Sequence, residues 1–199
     1  MSKEVKSQAA ASDGIQNTSG ALVAAASGLY VAGIPLTSWL AQPGGMLEKL
    51  TNAIVRTITG NTTSDRAVPA LAALYLFWTF GASGACSAAG QAMARQEGLD
   101  SSTPRQYLGQ MRGLPLRLFS AHSNLMETFP SFAVAAALTQ ALAPNNQLLV
   151  NLLGFHVIAK VFVFYPMYLL DVPPPRTFSH IFGISSVLNV CWQLARGAT

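Results

Sequence analysis

Charge is scarce in this chain, and where it is missing decides what the chain can fold into. Between Asp13 and Glu48 there is no charged residue, and between Glu127 and Asp171 there is only Lys160. Charged residues make up 10% of the whole and hydrophobic ones 51%, whereas soluble domains carry roughly 25% charge. Too few charges remain to cover a water-facing surface. Runs of about 20 apolar residues cross a bilayer core, and this length has room for four or five. The pattern predicts an all-α, multi-pass integral membrane protein.

The placement of charge then orients it. Arg95, Arg105, Arg112 and Arg117 fall in and just after one connection between two apolar runs, which the positive-inside rule assigns to the cytosol. Net charge is +4, but the basic residues are sparse and do not alternate with aromatics, so no nucleic-acid partner is expected. The two cysteines, Cys86 and Cys191, lie in apolar runs without metal-ligand spacing, so neither a disulfide framework nor a metal site is expected. MSKEVK leads into polar, small residues, so no cleavable signal is expected.

Residues 1–20 are rich in Ser, Ala, Gln and Gly, a composition that favours disorder. Residues 21–41 are uncharged but interrupted by Pro35, and are open to three readings: a span, an interfacial helix or a hairpin arm. In 46–58, Leu47, Leu50, Ile54 and Ile58 recur at helical spacing, as in a helix lying in the interface plane. Asn17-Thr-Ser and Asn61-Thr-Thr are glycosylation sequons of low specificity. From residue 67 the pattern predicts four spans, at about 67–93, 115–142, 147–170 and 178–195. The small residues Gly81–Ala85 suit close helix approach. Pro115 suits a first helical turn, and Pro173–Pro175 predict a decisive break after the third span. The domain organisation is thus an extension, 1–66, followed by a four-helix unit, 67–196. The connections 94–114 and 171–177 share one face, the cytosolic one.

Arg117, Asn124 and Glu127 are seven and ten residues apart, which puts them within about 80° of one another on one helical face. Ionisable groups inside a membrane mark functional sites by default; a wetted or arginine-paired Glu127 is the plainer reading. His122 faces away from Asn124 and suits a bond to a neighbouring helix. His156 and Lys160 form an i, i+4 pair, and Lys160 is open to three roles: ligand group, snorkelling side chain or partner of Glu127. Tyr165 and Tyr168 fit an interfacial aromatic belt or phenols that hydrogen-bond a ligand. Arg176 fits a topological anchor or an anion contact at the cytosolic mouth.

The stretch Arg117-Leu-Phe-Ser-Ala-His-Ser-Asn124-Leu-Met-Glu127-Thr-Phe-Pro130-Ser-Phe132 resembles the second-helix signature of the MAPEG proteins, the membrane-associated proteins in eicosanoid and glutathione metabolism. Tyr168-Leu-Leu-Asp-Val-Pro-Pro-Pro-Arg176 resembles the end of that family's third helix and its following arginine. The resemblance covers roughly 67–196. It implies a homotrimer of four-helix subunits in the membrane, with the endoplasmic reticulum the expected compartment. It also implies glutathione as co-substrate between subunits and a lipophilic electrophile or peroxide arriving from lipid. By resemblance Arg176 stabilises the glutathione thiolate, while Arg117, Asn124, Glu127 and Tyr168 bind the tripeptide, with Lys160 and Tyr165 as further candidates. Three positions depart from the pattern: Ser120 stands where the family favours arginine, Phe164 where a phenol is expected, and Thr128 where glutathione-binding members often carry tyrosine. Ser120 and Phe164 motivate one alternative, a protein that binds or rearranges a lipid-like metabolite without glutathione; another is a non-catalytic membrane scaffold, in which Asn124 and Glu127 only fasten helices.

Overall fold

The computed structural model describes residues 21–24, 26–60, 64–100, 102–103 and 106–197. Both sequons, the polar segment 1–20, Pro104 and Arg105 lie outside that set. Among the described residues every regular element is helical. Helix α1 is Ser27–Leu40, after a single turn at Ala21–Ala24, and α2 is Met46–Thr59. Helix α3 covers 64–93 in three parts: Ser64–Leu76, a π-helical stretch Phe77–Ala82, and Ser83–Met93. Helix α4 is Gly113–Leu142. Helix α5 covers 147–169 as Gln147–Val157, a π-helical stretch Ile158–Phe164, and Tyr165–Leu169. Helix α6 is Pro173–Ala195.

Four long helices therefore stand where the apolar runs place them, with one correction at α6. It begins at Pro173, not near residue 178. The prolines do end the preceding helix, but they also open the next one, because a first-turn proline gives up no hydrogen bond and its ring clashes with nothing. Helix α5 closes just before them in a Schellman arrangement: the Val172 amide donates to Met167 O at 3.0 Å and the Asp171 amide to Tyr168 O at 3.3 Å. Asp171 takes the left-handed position, φ 59°, where glycine is usual and Asp is among the better tolerated substitutes.

Arg66–Met93 and Gln147–Leu169 are long and apolar enough to cross a membrane. Helices α4 and α6 have the length, 30 and 23 residues, but polar side chains dilute them. Many of these point inward: Thr128 and Thr139 of α4 and Ser179, Ser185, Ser186 and Asn189 of α6 are buried. Helices α3 and α4 pack closely, as the small residues of α3 suggest. A Cβ on Gly90 would lie 2.9 Å from the Pro115 carbonyl oxygen and 3.1 Å from Leu118 Cβ.

Within residues 21–41, Ser27–Leu40 form a helix lying lengthwise on α6. Tyr30 meets His180, Gly33 meets Phe182 and Ser185, and Thr37 meets Asn189. The numbers rise together, so α1 and α6 run parallel. Asn189, wholly buried, donates to Ile34 O at 3.2 Å, Thr37 Oγ1 at 3.1 Å and Ser38 Oγ at 2.8 Å. Beyond the helix end, Asn151 donates to Ala41 O at 2.9 Å. Asn189→Leu removes the Asn189 anchors together, a loss of about 2 kcal/mol at roughly 1 kcal/mol or less each. Amide hydrogen exchange over 27–40 is expected to accelerate at least tenfold, with the rest of the protein unchanged. Unaltered protection in α1 would show that other contacts hold it.

Helix α2 divides the apolar stripe between two faces. Its buried face is Leu47, Thr51 and Val55, while Leu50 and Ile58 are exposed. The cause is Gly154 of α5, whose missing side chain leaves the gap that Thr51 enters. Exposed Met46, Leu50 and Ile58 then extend an apolar outer surface begun by Trp39 and Leu40.

The α3–α4 connection is organised around Arg95. Its guanidinium lies 4.1 Å from the Tyr107 ring centroid and 3.4 Å from Asp100 Oδ2. The Ser102 and Thr103 hydroxyls donate to Asp100 at 2.6 Å each and, with backbone help, hold its carboxyl well below the usual carboxylate range.

Candidate functional site

The half of the bundle nearest the arginine-bearing connection gathers polar groups from four helices. Lys160 of α5 is completely enclosed. Its amine lies 2.9 Å from Asn124 Oδ1 of α4 and 2.8 Å from His180 Nδ1 of α6. Those two acceptors are themselves 3.3 Å apart. The amine also stands 4.4 Å from the centroid of the Phe164 ring, where a cation is attracted by the ring face. Around His180 the Phe164 ring lies at 5.9 Å and the Tyr30 ring of α1, edge-on, at 6.1 Å. Of the roles open to Lys160, neither snorkelling nor a Glu127 ion pair is what the side chain does. It is buried at mid-helix and bonded to Asn124 instead.

Helix register explains this meeting. Lys160 lies inside the π-helical stretch of α5, where i→i+5 bonding inserts one residue and shifts every later side chain around the axis; such turns recur at functional sites. His180 lies one turn after Arg176 on α6, a relation that appears only once the helix is started at Pro173. The prolines disguise that spacing in the sequence, and His180 was not among the expected site residues. Tyr30 was also missed, because the extension shows no motif of its own.

The other candidates divide. Glu127, three residues after Asn124, is exposed on the flank of α4, and among the described residues no cation lies within ion-pair distance of it. Arg176 is half-buried in the first turn of α6 and packs its guanidinium 4.6 Å from the Tyr168 ring centroid. It too lacks a carboxylate partner among the described residues. Arg117 is committed to the end of α5, donating from Nε to Leu169 O at 2.9 Å and pairing with Asp171 at 3.6 Å. It shares the mouth with Arg176 but has two directions already occupied. Tyr165 turns away from the cluster and packs its buried ring edge-on against Trp78 at 5.6 Å, beside Cys86. His122 meets Ser83 Oγ of α3 at 3.0 Å, the inter-helix bond its position suggested. His156 diverges from Lys160 and bonds Gly183 O at 2.8 Å.

A model described as the MAPEG family matches residues 68–196. The chain belongs to the MAPEG family. No curated protein and no solved structure matches it. Membership, with two helices able to cross a bilayer, makes this an integral membrane protein. The MAPEG region contains Asn124, Lys160, Arg176 and His180, whereas Tyr30 and all of α1 lie outside it. An open apolar groove of about 560 Å³ between α1 and α6, lined by Ile34, Leu188 and Trp192 among others, lies at the far end of α6. Eight residues separate Leu188 from His180, about 12 Å along a helix, and Val31 at the groove's near edge directly follows Tyr30.

Proposed function

We propose that this MAPEG protein is a glutathione-dependent membrane enzyme, a transferase or peroxidase acting on a lipophilic electrophile or peroxide. The supporting observation is the pairing state of two charges. Arg176 and Glu127 carry opposite signs, reach the polar half of the bundle, and have no ion-pair partner among the described residues. A peptide bearing both carboxylates and an ammonium fits such a site. When bound, glutathione supplies the thiolate sulfur, which forms the new bond to the electrophile as the leaving group departs with its electron pair.

The chain's own part is electrostatic and positional. Arg176, held on Tyr168 by a cation–π contact, presents a fixed positive charge to the sulfur, whose reference pKa is about 8.5, and favours the nucleophilic thiolate. Glu127 and Asn124 orient the peptide from α4, and Arg117 adds positive charge at the rim. Exposed Glu127 also supports an assembly of identical subunits; its homotrimeric form and its place in the endoplasmic reticulum are what the resemblance implies. An uncovered carboxylate on a lipid-facing flank is costly, and a neighbouring subunit would remove that exposure. The fastening of Asn124 to Lys160 favours the scaffold alternative as a second reading, but fastening gives no use to Glu127 or Arg176.

The test is thermal unfolding of the detergent-purified protein with and without millimolar glutathione, alongside conjugation of a generic electrophile. Ligand at 100 times its dissociation constant stabilises by about 2.7 kcal/mol, and a clear upward shift with measurable conjugation is expected. Absence of both the shift and the conjugation would sink the enzyme reading.

A further inference from the structure

Lys160 does more than fasten helices together. An ammonium has three N–H donors and no acceptor. Here one direction meets Asn124 Oδ1, a second His180 Nδ1, and the third the face of Phe164. With Lys160 as the ammonium both partners accept, and this fixes what each shows on its other side. An amide whose oxygen is turned toward the lysine presents its NH2 outward. An imidazole that accepts at Nδ1 carries its proton on Nε2. Among the described residues neither outward nitrogen has a partner, and neither is enclosed. Ring rotation of His180 is opposed by Tyr30 on one side and Phe164 on another. Glu127, which when ionised can only accept, lies three residues from Asn124 on the same helical face.

We propose that Lys160 is a positioning residue that sets the polarity of the site, making Asn124 Nδ2 and His180 Nε2 paired outward donors beside the Glu127 acceptor. Two donors and one carboxylate match an α-amino-acid zwitterion: its carboxylate takes the two N–H groups and its ammonium takes Glu127. This deepens the glutathione reading and rests on it: the resemblance already gives the tripeptide's polar groups to Asn124 and Glu127, and the γ-glutamyl end, with its free amino and carboxyl groups, is the part a zwitterion site takes. His180 is the residue this adds to the binding set.

The experiment has two arms on the full-length protein in lipid nanodiscs. In the first, 15N-histidine labelling reads the His180 tautomer directly, with the signal assigned by its loss in His180→Gln. A single Nε2-protonated form is expected in the wild type, and a mixture of tautomers in Lys160→Met. Nδ1 protonation in the wild type overturns the polarity assignment. The second arm compares glutathione with γ-aminobutyryl-Cys-Gly, the same peptide lacking only the α-carboxylate. Loss of two hydrogen bonds to a charged group predicts at least tenfold weaker binding of the analogue. In Lys160→Met this penalty is expected to fall to about threefold or less, because the donors are no longer fixed. Equal wild-type affinity for the two peptides overturns the zwitterion assignment, and the wild-type results decide the matter alone if Lys160→Met fails to fold. Absence of glutathione binding refutes the enzyme reading instead, and the tautomer arm still decides whether Lys160 sets the polarity.

Discussion

Arg176→Ala is expected to lower the rate of glutathione conjugation about 100-fold near neutral pH, the loss typical when one group stabilising a reacting anion is removed. The pH profile separates this from mere loss of binding. Without the guanidinium the bound thiol has less reason to ionise, so its pKa rises toward the free value of about 8.5. The rising limb of the rate–pH curve should therefore move to higher pH, and much of the deficit should be recovered in alkaline buffer. Arg176→Lys, which keeps the charge but not the flat group resting on Tyr168, should fall between. A uniform loss at every pH would assign Arg176 to binding alone.

Gly154→Ala is expected to give a large loss of stability. The added methyl would collide with Thr51 Oγ1 and lie 2.6 Å from its Cγ2 and 3.0 Å from its Cβ. Thr51 is completely buried and stiff at χ1 because it is β-branched, so it has little room to give way. Overpacking of this kind costs about 2 kcal/mol, or a fall of about 4–8 °C in Tm at this chain length. Thr51→Ala removes both of the closest atoms. The double variant should therefore be more stable than the sum of the single losses by at least 1 kcal/mol, the coupling expected of touching residues. Strictly additive losses would mean that α2 does not dock where Thr51 and Gly154 meet.

Helix positions and membrane class were legible because charge scarcity and apolar run length report directly on the solvent. Asn124, Glu127, Tyr168 and Arg176 were legible as candidates because polar groups are conspicuous among apolar ones. The partner of Lys160 was not. Its pairing with Asn124 and His180 depends on the rotation added by a π-helical turn, which no periodicity of 3.6 anticipates. His180 was hidden behind three prolines that look like a break but begin a helix. On α2 the apolar stripe pointed to a helix in the interface plane, but the face it docks by turns on Gly154, a hundred positions away, whose lack of a side chain admits Thr51.

The π-helical stretch in α5 has one more consequence, for how such a site can evolve. Phe164 now faces Lys160 and His180, while Tyr165, its immediate neighbour, faces Trp78. Loss of one residue between 161 and 163 would let the stretch close to ordinary α-turns with its flanks close to their present places, because a π-turn holds one residue more than the α-turn it replaces. Phe164 and Tyr165 would keep their separate directions. The pocket can therefore lose a residue from this helix without exchanging the ring that faces its lysine.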